Sequence, residues 1–188
     1  MRRPTSIPLR ITLIAALLFT GGFLGGGRNV AAAGTPSAEA QFTAVFLYNF
    51  AQFVDWPADA FAAGNAPLEI GVVSADAGVA DSLAAAVAGK SVAGHPLTVR
   101  RFANPAAAAP CHLLYVEGVA PADVERLLQR LGKGAVLTVG NTGGFLDSGG
   151  IIRLFTEGNK MRFEVNLKAM QQAGLKISSQ LLKMASNH

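Results

Sequence analysis

Leu68–Phe102, LEIGVVSADAGVADSLAAAVAGKSVAGHPLTVRRF, decides the fold class. Leu68 to Ser74 is a short, nearly continuous apolar run with three β-branched residues, as expected of a strand covered on both faces. Asp76 is placed to cap a helix through Ala88, and Leu97 to Phe102 is a second strand. Strand, helix and strand within one 35-residue stretch is a βαβ signature. Working outward, Cys111 to Val116 is a third strand, Pro121 to Leu131 a helix and Ala135 to Val139 a fourth strand. The pattern predicts a single α/β domain with a mainly parallel, Rossmann-like sheet flanked by helices.

Upstream, Pro36-Ser37-Ala38-Glu39 opens a helix in which Phe42, Val45, Phe46, Asn49, Phe50 and Phe53 recur every three or four residues. Leu47, Ala51 and Val54 make the other side apolar too, so the helix is expected to be sandwiched within the domain or at an interface. Asp55-Trp56-Pro57 ends it, because the residue before proline avoids the helical region. Downstream, two β-prone runs flank Gly158-Asn159, a two-residue hairpin signal. Pairing outward from this C-terminal β-hairpin turn sets Glu157 against Lys160, Phe155 against Arg162 and Arg153 against Glu164. The opposite face pairs Thr156 with Met161, Leu154 with Phe163 and Ile152 with Val165, so one face is apolar and the other carries complementary charge. Asn166 is placed to cap a short helix ending near Gly174, and Ser178 or Ser179 a terminal one.

The first 33 residues belong to targeting rather than to the fold. Arg2, Arg3 and Arg10 precede an apolar run from Ile11 to Leu24, and Ala31-Ala32-Ala33 follows. The run is shorter than the roughly 20 residues a membrane-spanning helix needs, so a signal peptide cleaved near Ala33 is expected, leaving a domain over 34–188. The formal charge of +4 rests on Arg2, Arg3, Arg10 and Arg28, so the remainder is neutral. A neutral chain gives no electrostatic footprint for nucleic acid.

Cys111 is the only cysteine, which excludes an internal disulfide. With no cation beside it in sequence, it is expected to be a buried, inert thiol. His95, His112 and His188 lack metal-ligand spacing, and Cys111 and His112, as strand neighbours, point to opposite faces. No nucleophile–base pair, metal cluster, cofactor or phosphate-loop motif stands out, so a binding protein rather than an enzyme is expected. Gly140-Asn141-Thr142-Gly143-Gly144 follows a strand but leads into another strand, without either nucleotide fingerprint. Its glycines serve loop conformation or cradle a ligand. Phe145, set among them, either plugs the core edge or meets a partner. Trp56 packs in the core or makes a binding contact.

The block Ala44-Val45-Phe46-Leu47-Tyr48-Asn49-Phe50-Ala51-Gln52-Phe53-Val54-Asp55-Trp56-Pro57 resembles the opening signature of the YfiR-like family of periplasmic proteins. Gly144-Phe145, Gly149-Gly150-Ile151-Ile152, Arg162-Phe163-Glu164-Val165-Asn166-Leu167, Ala173-Gly174-Leu175-Lys176 and Ser178-Ser179-Gln180-Leu181-Leu182 follow the family pattern in order. The resemblance runs from about Gln41 to Ala185. It implies a repressor that binds the periplasmic sensor domain of a membrane diguanylate cyclase, lowering cyclic di-GMP output and biofilm formation. It also implies release by an outer-membrane lipoprotein and a tendency to form a homodimer. Candidate partner contacts are Trp56, Phe145, Arg153, Arg162 and Glu164. Where some family members carry several cysteines in disulfides, this chain keeps Cys111 alone, with Gly71 at the strand position where a partner might stand. The alternative function is a periplasmic small-ligand binding or sensor protein, built on the Gly140–Gly144 loop, that acts on another membrane signalling protein.

Overall fold

The computed structural model describes residues 35–132 and 134–186, so the expected signal peptide lies outside the described residues. Helix α1 (Ala38–Phe53) starts at Ser37, whose hydroxyl accepts the Ala40 N–H at 3.1 Å, satisfying one of the donors that the first helical turn leaves free. The chain continues through β1 (Val54–Asp55), β2 (Leu68–Val73), α2 (Gly78–Val87), β3 (Ser91–Val92), β4 (His95–Phe102) and β5 (Leu113–Val116). It then forms α3 (Pro121–Leu131), β6 (Leu137–Gly140), β7 (Ile152–Glu157), β8 (Lys160–Val165), α4 (Leu167–Gln172), β9 (Lys176–Ile177) and α5 (Ser179–Met184). Asn166 caps α4 through Ala169 N–H, and Ser178 caps α5 through Leu181 N–H.

Seven strands form one sheet in the order β3-β4-β2-β5-β6-β7-β8, while β1 pairs with β9 in a two-stranded ribbon. The five strands from β4 to β7 run parallel, and β3 and β8 add an antiparallel strand at either edge. The β7–β8 register is the one the sequence gives by counting out from Gly158-Asn159, including Arg153 opposite Glu164 and Leu154 opposite Phe163.

Alternation along the strands divides the interior in two. Ile70, Val72, Leu113 and Tyr115 point into a larger core beneath α1 and α2, joined by Leu154 and Phe163. Val73, Leu114 and Val116 point into a smaller core with Phe102 and Cys111, closed by Val124 and Leu127 of α3 and by Phe145. The buried side of α1 is Ala40, Thr43, Ala44, Leu47, Phe50 and Ala51. Small residues on that side let α2 pack closely. The aromatic stripe is split: Phe50 meets Phe163 edge-on at 5.1 Å, whereas Phe42 and Val45 are 61% and 51% exposed. Among the described residues no helix is long and apolar enough to cross a membrane.

A candidate interaction site on the hairpin face

The loop between β6 and β7 is organised by Phe145. Its ring lies between Gly140 and Gly150, where a Cβ at either position would overlap ring atoms. Phe145 is 1% exposed and belongs to the smaller core, so the packing role is the one the fold uses. The loop glycines follow from it: Gly140 and Gly150 make room for the ring, and Gly144 and Gly149 adopt positive φ of 73° and 94°, conformations that cost glycine little. Asn166 Nδ2–H donates to the Leu146 carbonyl at 3.1 Å, and the Ile151 N–H donates to Thr138 Oγ1 at 3.1 Å, tying the loop to its neighbours.

This fixed loop forms one wall of a polar cleft of about 250 Å³, lined by Gly144, Leu146, Asp147, Arg153 and Glu164. Arg153 donates through Nε at 2.9 Å and Nη2 at 2.8 Å to the same Glu164 oxygen. Glu164 is only 4% exposed, so its carboxylate holds the Arg153 guanidinium in place rather than offering itself to solvent. The guanidinium also lies 4.8 Å from the Phe155 ring centroid. Arg162, directly opposite Phe155, instead pairs diagonally with Glu157 at 2.7 Å. Counting across the strands matched Glu157 with Lys160; the longer arginine reaches the exposed carboxylate. The face therefore presents two guanidinium groups and the half-buried Phe155 ring in a fixed array.

Of the five residues singled out from the sequence, Arg153, Glu164 and Arg162 share this face and Phe145 supports the adjoining loop from below. Trp56 lies elsewhere, at the end of the sheet where the parallel strands begin. Its indole N–H donates to the His112 carbonyl at 3.2 Å. There the structure gathers residues that sequence reasoning kept apart: the Phe61 ring stacks on His95 at 3.7 Å and 7°, and on His112 at 4.5 Å and 20°. Two rings cannot both stack this closely on one face, so Phe61 is sandwiched. The order β4-β2-β5 explains it, since His95 opens β4, His112 precedes β5 and Phe61 lies on the segment entering β2.

His112 Nδ1 accepts the Glu69 N–H at 3.0 Å, which leaves Nε2–H to donate to the Ala60 carbonyl at 3.1 Å. Burial lowers its pKa from the ordinary histidine value, with the Ala60 bond acting in the opposite direction. Cys111, one residue earlier, points into the smaller core, and burial pushes its thiol up to about 11. The thiol is buried, as expected, and its raised pKa disfavours the reactive thiolate. A Cβ added at Gly71 would stand 3.0 Å from Cys111 Sγ, so these two positions are neighbours. Among the described residues no group of three or more His, Cys, Asp or Glu side chains is arranged to hold a metal ion.

The fold is thus a mixed seven-stranded α/β sheet whose edge hairpin carries an ion-paired face. The chain belongs to the YfiR/HmsC-like family, whose model matches residues 40–186. No curated protein matches it by sequence. Among solved structures, a conserved domain protein from Vibrio cholerae O1 biovar El Tor strain N16961 is similar with a TM-score of 0.46 and 16% identity. That similarity covers 63% of this chain and 54% of the other, so the chain spans about half the length of the Vibrio protein it matches.

Proposed function

We propose that the protein is a periplasmic regulatory binding protein that represses a membrane-bound diguanylate cyclase by engaging its periplasmic sensor domain. Membership of the YfiR/HmsC-like family over residues 40–186 is the observation that carries this reading. The hairpin face supplies the docking chemistry: Arg153 and Arg162 for acidic groups on the sensor domain, and Phe155 for an apolar one. Repression follows if this surface prefers the inactive sensor conformation, because a ligand shifts an equilibrium only by its differential affinity for the two states. Moving a cyclase from 1:99 to 99:1 takes a preference of roughly 10⁴-fold. An outer-membrane lipoprotein that sequesters the protein would relieve the block, and a homodimer would present two such faces. The N-terminal 33 residues would direct export and be removed near Ala33.

The test is a cross-linked pull-down of the mature protein from its native envelope, with bound proteins identified by mass spectrometry. A membrane diguanylate cyclase is expected in the eluate. The Arg162→Glu variant should recover it about tenfold less well, as loss of one well-placed charge contact implies, because Arg162 is exposed and its reversal leaves the core intact. Glu164 is a poor probe because its substitution would bury an uncompensated Arg153. Recovery of no membrane signalling protein would refute the repressor reading.

A further inference from the structure

A second cleft, of about 360 Å³, opens beside Trp56, where β1 and the following turn fold over the start of β2 and the β3–β4 hairpin. Its size falls within the range of small-molecule sites. Trp56, Phe61, Leu68 and Val92 supply apolar wall, and Asp55 and His95 supply polar groups. The wall is held before any ligand arrives. Phe61 is clamped between His95 and His112, and the His112 ring is fixed by hydrogen bonds at both nitrogens. The His112 carbonyl in turn holds the Trp56 indole. Such preorganisation removes part of the ordering cost of binding.

The polar groups determine which ligand fits. His95 Nδ1 lies 2.7 Å from the Ala66 carbonyl, an oxygen that only accepts, so this nitrogen carries the proton. In the neutral ring Nε2 is then a hydrogen-bond acceptor. No described group bonds Nε2, and it is not among the buried unpartnered atoms, so it stays open to solvent. Asp55 is exposed and forms no ion pair among the described residues. Both polar groups are therefore acceptors, and neither lysine nor arginine lines the cleft.

We propose that this cleft is a binding site for a small organic cation, a protonated amine or amidine head on an apolar body about the size of a substituted aromatic ring. The head donates to Asp55 and His95 Nε2 while the body lies along Trp56 and the edge of Phe61. Anionic ligands, nucleotides included, are disfavoured because no lysine or arginine lines the cleft; Lys176, which faces Asp55 across the β1–β9 ribbon, is not part of the lining.

Trp56 is the sole tryptophan of the chain, so its fluorescence reports on this cleft alone. The mature protein is titrated with 2-phenylethylammonium chloride, and with sodium phenylacetate as a matched anion. A saturable change is expected for the amine with Kd of about 1 mM or tighter, and none for the anion. Asp55→Asn should weaken amine binding about tenfold, the scale of a lost charge-assisted hydrogen bond, without lowering the melting temperature. The proposal is overturned if the amine gives no saturable response in fluorescence or calorimetry. Equal binding of amine and anion, or unchanged affinity in Asp55→Asn, overturns it as well.

Discussion

Replacing Phe145 by alanine should destabilise the domain by about 3–5 kcal/mol, the usual cost of emptying a buried aromatic site. The ring is fully enclosed in the smaller core, and the glycines on either side offer no side chain to collapse into the space. A sharper prediction concerns Gly140→Ala. At this position all the nearest atoms a new Cβ would meet belong to the Phe145 ring, so Gly140→Ala alone should cost about 1–3 kcal/mol through overpacking. In a Phe145→Ala background the obstruction is gone. Gly140 lies in a parallel strand without positive φ, and there alanine should be neutral or slightly stabilising. The double variant should thus be less destabilised than the sum of the singles by about 1–3 kcal/mol, a coupling typical of residues in contact. Gly150→Ala is the control: its Cβ would also meet the Phe145 carbonyl oxygen at 2.7 Å, so removing the ring should recover only part of its cost. Urea unfolding of the mature protein, followed by circular dichroism, measures all of these. Additive costs for Gly140→Ala and Phe145→Ala would refute the reasoning.

Four further outcomes are expected. Gly71→Cys should form a disulfide with Cys111, because the added Cβ stands 3.0 Å from Cys111 Sγ. Closing that loop of roughly 41 residues is worth about 4 kcal/mol by chain entropy, less the cost of displacing Leu114, and loss of thiol titre with a reducible rise in melting temperature would demonstrate it. In the wild type, burial and the raised pKa should leave Cys111 unreactive to maleimide at mildly alkaline pH until the protein is unfolded. The lowered pKa of His112 means that the unfolded chain binds this proton more readily than the folded one. Its contribution to stability is therefore complete above the ordinary histidine value of about 6.5 and is lost as pH falls below it. His112→Gln should flatten that part of the melting profile, and an identical slope in both proteins would contradict the assignment. Ala93 sits at φ 52° beside Gly94 at φ 87° in the β3–β4 turn. Ala93→Asn, which tolerates this conformation better, should raise stability by about 0.5–1 kcal/mol, readable as a small upward shift in melting temperature.

The candidate site was legible in part. Gly158-Asn159 fixes the turn, and a period of two then dictates that Arg153, Phe155, Arg162 and Glu164 share a face. Which charges pair on that face was not legible, because side-chain reach and depth decide it: Glu164 lies deep enough to engage Arg153, which leaves Arg162 to reach diagonally for Glu157. Phe145 was open between core and surface because a glycine-rich flank is compatible with both. The facing glycines at 140 and 150 acquire their meaning only once the strands bring them to either side of the ring.

By itself the sequence determined what depends on neighbours a few residues away. The alternation of strand and helix follows from local hydrophobic period, helix α3 from its apolar spacing after Pro121, and the hairpin register from its turn. The split of each strand between two cores follows from the pleat. Tertiary structure decided what depends on which elements become neighbours. Helix α1 is apolar on two sides, and only the placement of α2 and the sheet selects Ala40, Ala44, Leu47 and Ala51 as the buried one. His95 and His112 look unrelated along the chain, and they meet Phe61 because β4 and β5 flank β2 in a parallel sheet, whose crossover connections separate neighbouring strands along the chain.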